Sequence, residues 1–178
     1  MDYIIRKAVL DDRQAIERLI EESARALSLE DYSGQQIEAA ISTVFGVDTD
    51  LILDGTYFVA ESAGVLIGCG GWSKRRTLFG GDRFASRDAS ELDPKVEAAK
   101  IRAFFVHPQC ARKGVARAIL AACESAASAY GFRSLELMAT LPGRKLYRAC
   151  GYEGDERVEY EIGDGVHIEF VPMRKDLQ

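Results

Sequence analysis

Residues Ile101 to Ala127 read IRAFFVHPQCARKGVARAILAACESAA. The apolar run Ile101–Val106 reads as a buried strand. His107-Pro108 ends it, because proline has no N–H to give a ladder. A basic, glycine-containing turn follows, Ala111-Arg112-Lys113-Gly114-Val115-Ala116. The spacing then predicts a helix to about Tyr130. Val115, Ile119, Ala122, Cys123 and Ala126 share its apolar face, and Gly131 stops it. The first amides of a helix lack internal partners and carry partial positive charge, which suits a phosphate or pyrophosphate. Gly114 and Ala116 leave the backbone accessible, while Arg112, Lys113 and Arg117 add charge. An ordinary strand-to-helix connection with a basic start fits the same spacing. Neither a Walker A loop nor GxGxxG occurs.

Composition narrows the classes around this stretch. A chain of 178 residues is expected to form one domain over residues 1–178, of α/β or α+β type. A net charge of −5 argues against nucleic-acid binding. No apolar run approaches membrane-helix length, and MDYIIRKAVLDD has no signal-peptide pattern. The cysteines at 69, 110, 123 and 150 lack CxxC spacing and stand beside only 2 histidines, so no metal site is expected. Free thiols in a reducing cytoplasm are the corresponding expectation.

Outward from the central stretch, Tyr3–Arg6 reads as a short strand. Two helices follow, one capped by Asp11 with Gln14, the next by Ser33 with Gln36. Tyr57–Glu61 and Val65–Trp72 form a hairpin about Ser-Ala-Gly. Residues 73–95 mix basic and acidic side chains with Gly80-Gly81, and read as a mobile excursion or a substrate lid. Beyond the central helix come a strand, Leu135–Ala139, and a short helix opened by Pro142 and ended by Gly151. Two last strands, Arg157–Ile162 and Val166–Val171, turn at Gly163-Asp164-Gly165. The order is β-α-α-β-β-β-α-β-α-β-β.

Three features resemble the GNAT family of N-acetyltransferases. The window 111–116 is similar to its acetyl-CoA segment: Gly114 and Ala116 fit, whereas Ala111 replaces a Gln or Arg, with Arg112 one place later. The run Lys145-Leu146-Tyr147-Arg148-Ala149-Cys150-Gly151-Tyr152 is similar to its closing signature, a helix ending in Tyr, three residues, Gly and an aromatic. The element order is similar as well. The resemblance implies a mixed, mostly antiparallel sheet flanked by helices, with a splayed central strand pair. It implies acetyl-CoA as co-substrate, its pyrophosphate on Arg112, Lys113, Gly114, Val115, Ala116 and Arg117. The backbone of Phe104, Phe105 and Val106 would pair with the pantetheine arm. The acceptor would be the primary amine of a small molecule or peptide, attacking directly in a ternary complex, and a homodimer is compatible.

Tyr147 would protonate the leaving thiolate, since a phenol is neutral at pH 7 and can donate. The alternative is that its ring only packs; Tyr152 reads as core. Thr140 stands where many members have Asn, and Lys100 where some have a Glu base. Glu97 should face away on a regular strand unless a bulge intervenes. Glu91 and Asp93 could act through water, or the amine could lose its proton to water. Cys110, beside a basic helix start, is either a nucleophile or a spectator thiol. A rival to catalysis is an acyl-CoA-binding sensor or interaction module without turnover. A third reading is transfer of a longer acyl group.

Overall fold

In a computed structural model, residues 1–84 and 87–178 are described; Ala85 and Ser86 of the 73–95 stretch lie outside them. Strand β1 (Ile4–Lys7) leads to helices α1 (Arg13–Leu27), α2 (Gly34–Thr43) and α3 (Thr49–Leu53). Strands β2 (Tyr57–Ser62), β3 (Val65–Ser73) and β4 (Ala99–Val106) follow. Then come α4 (Val115–Tyr130), β5 (Ser134–Thr140), α5 (Arg144–Ala149), β6 (Val158–Gly163) and β7 (Val166–Asp176). The strands make one mixed sheet in the order β1-β2-β3-β4-β5-β7-β6, flanked by helices. Only β4 and β5 run parallel.

Local chemistry explains most of these elements. Helix α1 buries Ile16, Leu19, Ile20, Ser23 and Ala24, spaced three and four apart. Ser33 and Gln36 close the expected capping box on α2. The β2–β3 turn puts Ala63 (φ 48°) and Gly64 (φ 79°) in the left-handed region, the geometry of a two-residue hairpin turn. The backbone N–H of Gly131 returns to Ala127 and Ser128 and closes α4.

Other elements differ from the sequence expectation. Asp11 does not cap α1. The helix begins at Arg13, and Asp12 beside it is held by Arg6 at 2.7 and 2.9 Å. Helix α3 is unforeseen; the Asp48 side chain starts it by accepting from Asp50 N–H at 3.0 Å. Pro142 sits in the turn before α5 rather than inside it. Strand β7 runs through Pro172 to Asp176, five residues past its expected end. Proline is tolerated there because pairing with β6 stops at Val158↔Phe170, before Pro172.

The sheet departs from regularity at its centre. Gly68↔Val106 and Cys69↔Phe105 pair, then Gly71↔Arg102, so Ala103 and Phe104 face Gly70 alone. Ala103 is left-handed at φ 56°. On the other side β4 meets β5 only at Ala99↔Leu135 and Lys100↔Glu136. Past that point the two strands part.

Candidate active site

The parted strands open a cavity of about 790 Å³. Phe104, Phe105 and Val106 form one side, with Thr140 and Tyr147 among its other lining residues. The start of α4 contributes Ala111, Arg112, Ala116 and Arg117. Leu78, Phe79, Gly80 and Gly81, from the connection between β3 and β4, also line it, as does Phe45.

At the α4 start, two residues adopt left-handed backbone, Arg112 (φ 62°) and Gly114 (φ 87°). A Cβ on Gly114 would meet nothing within 4 Å, so the space above this turn is open. The first helical ladder bond runs from Ala118 N–H to the Gly114 carbonyl at 3.0 Å, leaving earlier amides of the turn outside that ladder. Among the described residues, Arg112, Lys113, Arg117, Arg144 and Lys145 form no ion pair, although most cations of this acidic chain do. All of these except Lys113 line the cavity. Lys113 and Gly114 sit just beside it, exposed. Val115 is different from its expected role: its side chain is buried against the glycine at 68, where an added Cβ would lie 2.7 Å from Val115 Cγ1. Only its backbone N–H belongs to the turn.

Tyr147 is 7% exposed and lines the cavity. Its ring meets Phe104 edge-on at 6.2 Å and Tyr152 at 5.8 Å between centroids. Among the described residues its hydroxyl has no hydrogen-bond partner, and burial pushes the phenol above its ordinary value of 10.0. The group is therefore a protonated donor facing the open space. Tyr152 is core, as expected. Thr140 Oγ1 accepts from Gly143 N–H at 3.2 Å and shapes the turn into α5. On β4, Val106 N–H is met by Ser23 Oγ of α1 at 3.3 Å.

The carboxylates considered as bases lie elsewhere. Glu97 binds Arg76 and accepts from Asp93 N–H at 2.7 Å. Glu91 pairs with Lys74 at 3.1 Å. Lys100 lies in β4 and reaches Glu136 of β5 at 2.6 Å; Arg174 holds the other Glu136 oxygen at 2.8 Å. That pair ties the strands together where they begin to part. The carboxylates that do line the cavity are Glu30 and Asp31, in the α1–α2 connection. Cys110 is buried outside the cavity, its sulfur 3.8 Å from that of Met1. All four cysteines are unpaired. The 73–95 stretch is tied down by Arg75–Asp54 at 2.8 Å and Arg87–Asp48 at 2.9 Å.

Among the described residues there is no cluster of three His, Cys, Asp or Glu side chains able to hold a metal. No described helix is long and apolar enough to cross a membrane. Arg102, Asp48 and Phe79 were not singled out by the sequence. Their one signal was a charge, Arg102, inside an otherwise apolar strand.

The fold is similar to those of solved acetyltransferases. A GCN5-related N-acetyltransferase (aminotransferase, class-II) of Rhodopseudomonas palustris superposes with a TM-score of 0.73 at 20% identity, over 99% of this chain and 97% of the other. The PaiA N-acetyltransferase of Thermoplasma acidophilum, solved with coenzyme A, gives 0.66 at 16% identity, over 99% of each chain. A phosphinothricin acetyltransferase of Sinorhizobium meliloti, solved with acetyl-CoA, gives 0.64 at 20% identity, over 99% and 89%. No curated protein matches the sequence. The model of the acetyltransferase (GNAT) family matches residues 13–152, which hold the parted strands, the basic turn and Tyr147, and the chain belongs to that family.

Proposed function

We propose that the protein moves acetyl from acetyl-CoA to the primary amine of a small molecule or peptide, by direct attack in a ternary complex. One observation carries the reading: a gap between β4 and β5 with a neutral phenol on its wall and an unpaired basic helix start at its end. The residues fit the co-substrate. Arg112, Arg117, Arg144 and Lys145 offer charge to its phosphates, and the open turn over Gly114 offers backbone amides. Phe104, Phe105 and Val106 line the gap where a pantetheine arm would lie, with Ser23 Oγ yielding Val106 N–H to it.

Acetyl-CoA supplies the activated thioester. The amine nitrogen forms the new C–N bond as the C–S bond breaks. Tyr147 gives its proton to the departing sulfur and regains one from water. The amine proton leaves to water, with Glu30 and Asp31 as the nearby acceptors on the cavity wall. The absence of a buried carboxylate among the lining residues favours a second reading, a sensor that binds acyl-CoA without turnover. Incubation with acetyl-CoA and a panel of amines and peptides, followed by mass spectrometry, separates the two. A gain of one acetyl group on an amine supports transfer; tight acetyl-CoA binding with no acetylated product supports the sensor.

A further inference from the structure

One cation lies deep in the cavity wall. Arg102 is on β4, two residues before Phe104, lines the cavity, and has a side chain only 3% exposed. Its Nη2 donates to the Gly80 carbonyl, and among the described residues its buried Nε–H has no acceptor. Its Nη1 pairs with Asp48 Oδ2 at 2.5 Å.

Asp48 is fully buried and shared, because Arg87 Nη2 holds its other oxygen at 2.9 Å. Two guanidiniums thus divide one desolvated carboxylate. The further partners of Arg87, Asp50 at 3.2 Å and Asp82 at 3.5 Å, are more exposed. Among the described residues Arg87 thus has three carboxylate partners, and Arg102 has only a share of one. Burial lowers the Arg102 pKa, Asp48 opposes this, and Arg87 adds to it. A buried cation with an orphaned donor is costly, and a ligand anion would relieve both defects. A guanidinium suits a planar carboxylate. Phe45, Phe79, Leu141 and Phe170 add apolar surface to the cavity wall.

We propose that Arg102 binds a carboxylate of the acceptor, and that the acceptor is an amino acid with an apolar side chain. This rests on the acetyl-transfer reading. With the carboxylate at Arg102, the amine extends along β4 toward Phe104 and Tyr147.

Matched pairs test it: leucine against isopentylamine, and phenylalanine against phenethylamine, each with acetyl-CoA in a thiol-release assay. Calorimetry in the presence of CoA compares the corresponding N-acetylated products. The amino acid should win by about 10- to 100-fold in kcat/KM, the worth of a charge-assisted contact, and its product should bind more tightly by a similar factor. Arg102→Gln should erase the preference, chiefly through KM, and leave acetyl-CoA affinity in place. Because that change strands Asp48, the double variant Arg102→Gln with Asp48→Asn is measured alongside, and the wild-type comparison needs no variant. Equal turnover of amine and amino acid would overturn the role of Arg102 and leave acetyl transfer standing. A preference that survives in both variants would also overturn it. Selective product binding without turnover would uphold carboxylate recognition and sink acetyl transfer. No turnover and no binding would sink both.

Discussion

Tyr147→Phe removes one oxygen and keeps the ring. The edge contacts with Phe104 and Tyr152 belong to the ring and survive. The hydroxyl has no protein partner among the described residues, so its loss orphans nothing, and stability should change by less than about 1 kcal/mol. Catalysis should respond very differently. General acid catalysis is typically worth ~10²–10⁴-fold, or about 2.7–5.4 kcal/mol of barrier at 1.36 kcal/mol per tenfold. A proton given to a departing sulfur acts where thiolate charge develops, so kcat and kcat/KM should fall together. Acetyl-CoA affinity should stay within about twofold, since 0.4 kcal/mol corresponds to that factor. Because burial raises the phenol pKa, the wild-type acid stays protonated through neutral pH, and Tyr147 should cause no loss of kcat between pH 7 and its ordinary value of 10.0. A thiol-release assay, a melt and a cofactor titration measure these separately. Full activity in the folded variant would leave Tyr147 as packing and give the acid role to water.

Ala116→Glu, in the first turn of α4, adds bulk and negative charge to the wall beside Arg112 and Arg117. It should abolish acetyl-CoA binding by calorimetry while the melt persists; unchanged affinity would remove the phosphates from this turn. Gly70→Ala places a Cβ 2.6 Å from the Phe104 ring, so the ring must shift. The variant should be destabilised by about 1–3 kcal/mol and show weaker acetyl-CoA binding, and wild-type behaviour in both would refute a packed ring at that site. Alkaline pH should unfold the protein through its buried thiols and phenols. Burial pushes the Cys69 thiol from 9.0 up to about 12, so stability is complete below pH 9.0 and is lost as pH rises toward 12. Each such group contributes a slope of up to about 1.4 kcal/mol per pH unit. Denaturant melts across that range should slope downward, and a flat profile would contradict the burial of Cys69.

Much of the fold was legible because hydrophobic spacing and turn chemistry act locally. The Ser33–Gln36 box, the turn at Ala63-Gly64 and the helix between Gly114 and Gly131 each follow from a few adjacent residues. The strand through Pro172 was illegible because proline is disfavoured only where its missing N–H would be used, and that depends on a distant partner. Helix α3 is a single capped turn, too short for a period to show. In the site, Tyr147 and the basic turn stood out by motif. Arg102, Asp48 and Arg87 did not, since they meet only when β4, α3 and the β3–β4 connection pack together.

The gap itself depends on one irregularity that connects these levels. A regular β4 would continue its parallel ladder with β5 beyond Lys100↔Glu136 and leave no room between them. Instead Ala103 takes a left-handed backbone, at a typical cost of about 1–2 kcal/mol for a residue with a Cβ. The ladder beyond is forfeited as well. The surroundings hold this conformation: Tyr57 donates its hydroxyl to the Ala103 carbonyl at 3.2 Å, and the glycine at 70 leaves space for the Phe104 ring. That ring in turn contacts Tyr147. Arg102 before the bulge and Phe104 after it both line the cavity. A local strain thus lies where two strands part, beside a proton donor and a buried cation that line the same space. Such strain persists where the fold over-determines it, and here the groups that do so are the groups that form the site.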